Sequence, residues 1–333
     1  MHCLKYGLTT HNILQAKVVT MEGELLTLGG ETLDVPGYDL LALITGSEGM
    51  LGVIVEVTVK LLPKPESAQV VLAAFDDVVN ASEAVGAIIA GGIIPAGLEM
   101  MDQLAIRAAE DFAHAGYPRD AAAILLCELD GTAAEVTEHI AAVRAVLEAH
   151  GATEVRTAAD ESERQLFWKG RKSAFPAVGR VSPDYYCMDG TIPRRELARV
   201  LRQISLWSAE YGLPVANVFH AGDGNLHPLI LFDARKPGEL ARTEELGQKI
   251  LALCVEVGGT ITGEHGVGIE KLDTMCQQFG TDELQMFHAV KSAFDPRGLL
   301  NPGKAVPTLH RCAEFGAMHV HHGALPHAEL ERF

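Results

Sequence analysis

No C-x-x-C spacing occurs among the six cysteines, at positions 3, 127, 187, 254, 276 and 312. An iron–sulfur cluster or a thiolate zinc site needs such closely spaced thiolates, so neither is expected within the chain. Scattered cysteines in mostly apolar surroundings suit a reducing compartment and buried, reduced thiols. Long apolar runs are also missing. None reaches the roughly 18–20 residues of a membrane-spanning helix. The opening Met1-His-Cys-Leu-Lys-Tyr lacks a signal peptide's apolar core and cleavage site, and the expected location is cytoplasmic. Cations are few. Against 44 Asp and Glu stand 27 Lys and Arg, a net charge of −17. That excess excludes a nucleic-acid surface and disfavours unaided docking on anionic lipid. Internal repeats, low-complexity linkers and the G-x-G-x-x-G fingerprint are absent too. What remains is ordinary for a soluble globular protein: 333 residues, 48% hydrophobic and 21% charged. That length supports a sizeable core and two domains.

Residues 1–66 read as β-rich, with short strands over Ala16–Met21 and Glu24–Leu28 around a Glu22-Gly23 turn. Thr45-Gly46-Ser47-Glu48-Gly49-Met50-Leu51-Gly52 then leads into a strand where Val53, Val55, Val57, Val59 and Leu61 alternate with Ile54, Glu56, Thr58 and Lys60. Pro63 and Pro65 end it. The glycine loop is either a tight β-connection or a backbone cradle for a dinucleotide, where missing side chains let N–H groups approach phosphates. From 67 to about 215 strands and helices alternate, which predicts an α+β sheet with helices covering one face. The strongest helix runs from Thr132 to His150. Thr132 and Glu135 fit a capping box, Val136, Ile140, Val143 and Leu147 form a stripe, and Gly151 stops it. A strand is expected over Tyr185–Ile192, a helix over Arg194–Tyr211, another over Pro237–Val257, and one more over Glu270–His288.

Chemistry concentrates in two glycine-punctuated stretches. In Val218-Phe-His220-Ala-Gly-Asp-Gly-Asn-Leu-His227, loop formers at 222–225 predict a hairpin tip with the two histidines facing each other on one side. Downstream lies Gly263-Glu264-His265-Gly266. If the loops converge, His220, His227 and Glu264 offer two nitrogens and an oxygen to a borderline divalent metal such as Zn²⁺, with open positions for substrate. His265 would then stand beside the metal as a general base. If they diverge, the histidines are core residues, since His-x6-His is no standard zinc motif. In Trp168-Lys-Gly-Arg171-Lys172, the two cations are either a solvent-facing helix end or a carboxylate clamp. Five histidines between 305 and 333 fit a solvated tail better than a metal site.

Five stretches in order, Leu4–Thr10, Gly46–Gly52, 218–228, Thr262–Gly266 and Asn301-Pro-Gly-Lys304, together make the chain resemble the FAD-linked oxidases of the vanillyl-alcohol oxidase type, in particular the members that oxidise D-2-hydroxy acids. The resemblance implies an α+β fold: residues 1–66 as the second subdomain of an FAD-binding domain, 67–290 as a ferredoxin-like cap, 291–306 as a segment returning to the flavin, and 307–333 as the histidine-rich tail. It also implies that the family's first FAD subdomain, with its pyrophosphate loop, would precede Met1, so the chain is expected to be N-terminally truncated. Gly46, Ser47, Gly49, Gly52, Val53 and Asn301 match flavin-cradling positions. His220, His227 and Glu264 match the metal ligands, His265 the catalytic histidine, and Arg171 the carboxylate-binding arginine. Cys187 and Leu229 replace a lysine and an asparagine expected to hold a second carboxylate in the hydroxyglutarate enzymes, which favours glycolate or D-lactate. The implied cofactors are FAD and a divalent metal. The implied partners are a small 2-hydroxy acid, an iron–sulfur electron-accepting subunit and a further FAD-domain subunit, with the membrane reached only through them. Two other readings stay open: a non-catalytic fragment without FAD, and a zinc hydrolase using the same His₂Glu set.

Overall fold

The computed structural model describes residues 2–32 and 37–308, so the histidine-rich tail beyond 308 lies outside the described residues. The chain divides into two compact units, the first formed by Leu61–Glu264 with the opening residues through Leu8, the second by Thr9–Lys60 with the chain from His265 onward. These boundaries differ from a division at 66/67 and 290/291. The helices after 270 join the second unit, and the first eight residues join the first.

The first unit is built on a seven-stranded antiparallel sheet. In spatial order its strands are Glu154–Thr157, Ser67–Phe75, Ala123–Gly131, Gly97–Asp102, Val215–Phe219, Pro228–Phe232 and Asp184–Cys187. Alternate residues Val70, Leu72, Ala74, Ile124 and Leu126 join one core cluster with Ile106 and Ala109 of helix Gln103–Ala113 and Phe167 and Ala174 of helix Glu161–Val178. The residues between them, Val71, Ala73, Phe75 and Leu125, are equally buried. Helix Ala133–Ala149 packs on the same two strands. Helices therefore cover both faces, where one covered face was expected, and the near-continuous apolar run of Ser67–Phe75 is the sequence sign of that. The capping box at Thr132 forms as expected, with Thr132 N–H donating to Glu135 Oε2 at 2.9 Å. The strand expected over Tyr185–Ile192 is two, Asp184–Cys187 and Gly190–Thr191.

The second unit holds a three-stranded antiparallel sheet in the order Leu25–Gly29, Ile13–Val19, Val53–Val59. Ala16, Val18, Ile44, Met50 and Leu51 form its core, against which Val290 and Phe294 pack. The alternation in Val53–Val59 predicts one buried face, yet all seven residues are exposed. The strand is an edge of its sheet, bonded on one side only, to Ile13–Val19. The helix expected over Glu270–His288 is broken. Leu272–Gln278 ends in extended backbone at Phe279, and Thr281–Phe294 restarts where Gly280 N–H donates to Glu283 at 2.8 Å. Cys3, Cys127, Cys187 and Cys254 are reduced thiols outside any disulfide, but Cys276 is disulfide-bonded, a departure from six reduced cysteines.

Candidate functional site

Sheet register sets the positions of the histidines in the first unit. Strand Val215–Phe219 pairs with Pro228–Phe232 through Asn217↔Pro228, and the same register continues to a bridge between His220 and Asn225. His227 is two residues beyond Asn225, diagonal to His220 and on the same face of the ladder. The hairpin expectation holds: the two ring centroids are 5.1 Å apart with the planes nearly perpendicular. Asn225–Leu226 also pairs with Gly190–Thr191, which ties the tip into the unit.

Glu264 closes the group. Its Oε1 lies 3.2 Å from His227 Nε2 and 3.5 Å from His220 Nε2. The loop before it is pinned by Asp189, fully buried, which accepts from Thr262 Oγ1 at 2.7 Å, Gly263 N–H at 3.0 Å and Glu264 N–H at 3.1 Å. Gly263 is required because an added Cβ would sit 2.3 Å from Asn225 Oδ1. The expected convergence of His220, His227 and Glu264 is thus realised, with one donor atom from each within 4.8 Å of the others. Both imidazoles are buried, while the Glu264 side chain is 46% exposed, so the group is accessible from its carboxylate side.

Two carboxylates that the sequence reading passed over organise this group. Asp189 is one. The other is Glu99, at the place where the register Val218↔Met101, Phe219↔Met100 continues opposite His220. Its oxygens lie 2.8 and 2.9 Å from His220 Nδ1. Arg171 Nε donates to the same carboxylate at 3.0 Å, and a terminal nitrogen of its guanidinium lies 2.8 Å from it as an ion pair. Arg171 is therefore buried and two of its donors rest on Glu99, rather than standing open as a clamp. Lys172 does not join it. That side chain is exposed and lines a separate cavity of about 480 Å³ with Arg164, Lys169 and Trp168. His265 follows Glu264 directly, is exposed, and is the first residue of the second unit. A lone Glu within the apolar run Gly-Leu-Glu99-Met-Met was the one available sign of Glu99.

Charge is balanced within the group. Burial raises the pKa of Glu99, but Arg171 and the His220 hydrogen bond outweigh it and hold the carboxyl below its usual range. Burial likewise lowers that of His220, and hydrogen bonds to Glu264 and Glu99 push it up to about 9. Hydrogen bonds from His220 and His227 hold Glu264 far below the usual carboxylate range. Two imidazole nitrogens and one carboxylate oxygen, with a second carboxylate on the far nitrogen of one ring, are the donor set and supporting partner a borderline divalent cation takes. The residues fit such an ion.

In the second unit, Gly49, Gly52, Val53 and Asn301 line one cavity of about 390 Å³, together with Leu299 and Leu300. Gly46 and Ser47 line another, of about 480 Å³, with Met50, Leu51 and Lys291. The loop is held by Glu48, a further residue missed from sequence, whose carboxylate accepts from Val267 and Gly268 N–H, both at 2.7 Å. Gly49, at φ +71°, leaves room for Asn301, whose Nδ2 would lie 2.7 Å from an added Cβ. Ser47 Oγ is buried with no hydrogen-bond partner among the described residues. An orphaned hydroxyl beside side-chain-free backbone fits a polar ring edge or phosphate arriving there, so these residues fit part of a flavin's contacts.

Glycolate oxidase subunit GlcD of Escherichia coli K12 is 70% identical over 333 residues, all of this chain and 67% of that protein. The protein of the same name from Bacillus subtilis is 40% identical over 302 residues, 90% of this chain and 64% of that one. The mitochondrial D-lactate dehydrogenase [cytochrome] of Arabidopsis thaliana is 31% identical over 312 residues, 93% of this chain and 54% of its own. The chain thus spans about two thirds of the first of these relatives and less of the others. Among solved structures, 4-ethylphenol oxidase of Gulosibacter chungangensis superposes with a TM-score of 0.72 at 16% identity, over 90% of this chain and 67% of that one, a likeness of fold alone. The model of the C-terminal domain of FAD linked oxidases matches residues 64–305, and the chain belongs to that family.

Proposed function

We propose that this chain carries the substrate side of a flavin-dependent oxidation, converting a small D-2-hydroxy acid, glycolate or D-lactate, to its 2-oxo acid. The observation that carries this reading is the convergence of His220, His227 and Glu264 in a member of the FAD linked oxidase family. When bound, the flavin would accept hydride at N5, and a divalent cation would lower the pKa of the substrate hydroxyl. The chain's own residues supply the rest. His220, His227 and Glu264 would hold the cation, and the exposed side of Glu264 leaves room for a small substrate. His265 takes the hydroxyl proton as hydride leaves the carbon, a task suited to an imidazole near neutral pH. Arg171 lends positive potential to the substrate's carboxylate even with two donors on Glu99. Gly46, Ser47, Gly49, Gly52, Val53 and Asn301 hold the flavin.

The names of the relatives support both the acid and the assembly, since one is a glycolate oxidase subunit and another a D-lactate dehydrogenase. An iron–sulfur partner subunit would take the electrons onward, a role that the printed name of one relative, a subunit of glycolate oxidase, leaves to another polypeptide. The exposed apolar strand Val53–Val59 supports a further FAD-domain polypeptide as a second partner, being an open edge of Val and Ile side chains. Among the described residues no helix is long and apolar enough to cross a membrane, and in this reading the protein is cytoplasmic, reaching the inner membrane only through its partners.

The test is turnover of glycolate by the flavin-loaded assembly. H265A is expected to lose about 10²–10⁴ in rate, the usual worth of a positioned base. Unchanged turnover overturns the assignment of the base. A colourless assembly, with no flavin bands in its visible spectrum, supports the non-catalytic reading instead.

A further inference from the structure

Glu99 is a carboxylate almost wholly removed from water, at 1% exposure, in the middle of an apolar strand. A buried ion pair with Arg171 alone would account for its charge. The geometry holds more than a pair. Arg171 meets Glu99 at Oε2, whereas His220 Nδ1 spans Oε1 and Oε2. One carboxylate oxygen is thus left to the imidazole. On the other side of that ring, Nε2 faces Glu264.

We propose that Glu99 is a positioning residue for the cation site, anchoring His220 Nδ1 so that Nε2 is the atom presented beside His227 and Glu264. This rests on the metal-site reading above. An imidazole offers two nitrogens, and a half-turn about its Cβ–Cγ bond puts Cδ2 where Nδ1 stood and Cε1 where Nε2 stood. The bond to Glu99 blocks that turn, because a flipped ring would aim a carbon at the carboxylate. It also makes Nδ1 the protonated nitrogen, which leaves the Nε2 lone pair to the cation and raises its basicity. Arg171 holds Glu99 in place from its other side, and the strand register places Glu99 opposite His220. Arg171 therefore acts on the cation through Glu99 and His220.

The experiment is calorimetric titration of Zn²⁺ into the full chain, with a thermal melt for each variant. E99M/R171M removes both buried charges together and the acceptor with them. It is expected to melt cooperatively and to bind Zn²⁺ about 10–100-fold more weakly. E99Q, which keeps a weaker neutral acceptor, is expected to lose about tenfold, within the lower part of that range. D102N, on the same strand but with its carboxylate bonded to Asn217, is the structural control, expected to lower Tm and leave the Kd unmoved. A wild-type Kd in a folded E99M/R171M overturns the proposal. If that variant does not melt cooperatively, E99Q decides, and a Kd within about twofold of wild type overturns it (a factor of 2 is about 0.4 kcal/mol). A loss in D102N equal to that in E99Q also overturns it, by assigning the effect to general loosening of the strand. Failure of the metal reading looks different: wild type takes up no Zn²⁺, or H220A binds it as wild type does, and the proposal then falls with that reading.

Discussion

Cys187 and Leu229 stand directly opposite each other in adjoining antiparallel strands. Leu229 is two residues from His227, so the pair shares a ladder face with the histidines. Leu229 is fully buried and Cys187 packs against the same core cluster, which leaves this wall of the site apolar. An apolar wall accepts a hydrogen atom or methyl group and rejects a second carboxylate, which would be desolvated there without a partner. C187K supplies that partner. In the flavin-loaded assembly it is expected to raise kcat/KM for a five-carbon 2-hydroxydicarboxylate relative to glycolate by about tenfold, or 1.4 kcal/mol. C187K/L229N is expected to raise it further at some cost in stability, since the buried amide has to find partners. An unchanged ratio in both variants removes this wall from the account of specificity.

Asp295 ties the end of the second unit together. It accepts from Lys291 Nζ at 2.6 Å, Leu300 N–H at 2.7 Å and Leu299 N–H at 3.1 Å. Burial raises its pKa, but these donors outweigh that and bring it down to about 2. A carboxyl lowered in the folded state adds stability that is fully present above its unfolded pKa of roughly 3.9 and is lost as pH falls through about 2. D295N is therefore expected to melt a few degrees below wild type at pH 7. The gap narrows from about pH 4 downward, as wild type itself takes up the proton. Thermal melts across that range check the sign. A gap that widens on acidification refutes it.

The facing of His220 and His227 was legible because local rules carried it, whereas their meeting with Glu264 was left open by the residues. Glycines and an Asp-Gly tip forced the hairpin, and pleat periodicity put His220 and His227 on one face. The capping box at Thr132 and Glu135 was legible for the same reason, both residues lying within one turn. Glu99 was not, because its meeting with His220 spans 121 residues and depends on which strands pair. Asp189 reaches Glu264 across 75 residues in the same way. Burial on both faces of Ser67–Phe75 and exposure of Val53–Val59 failed for a further reason. Alternation marks a face that seeks cover without saying what covers it, and an uninterrupted apolar run fits strand or helix. Phe279 and Gly280 broke a helix whose apolar period runs on either side, since period alone does not register an extended residue.

Asp189 holds the loop that presents Glu264, accepting hydrogen bonds from Thr262, Gly263 and Glu264 at a fully buried position. D189N keeps one acceptor oxygen and turns the other into a donor that faces N–H groups. Losing a buried acceptor costs about 1–3 kcal/mol, which here is local. Amide exchange at Gly263 and Glu264 is expected to speed up by roughly 5–150-fold, the same energies expressed as opening equilibria. Amides in strand Ser67–Phe75 are expected to stay at wild-type rates. Uniform acceleration across the unit would show that Asp189 supports the whole fold rather than this loop.

Ser47 gives a prediction in which stability and binding move in opposite directions. Its hydroxyl is buried without a hydrogen-bond partner among the described residues, and such a group costs about 1–3 kcal/mol in the flavin-free chain. S47A removes that cost, so the flavin-free variant is expected to melt above wild type by several degrees. In the proposed reading the same hydroxyl bonds the flavin. Removing it forfeits about 0.5–1.5 kcal/mol of that contact, and FAD is expected to bind some 2–12-fold more weakly in the assembly. The two measurements separate the explanations. A higher Tm with weaker FAD binding marks a hydroxyl kept for its ligand at the expense of the empty fold. A higher Tm with unchanged FAD binding marks a packing defect and takes Ser47 out of the flavin's contacts. A lower Tm means the hydroxyl has a partner within the fold, and the reading of the glycine loop as a half-built cradle loses its orphaned atom.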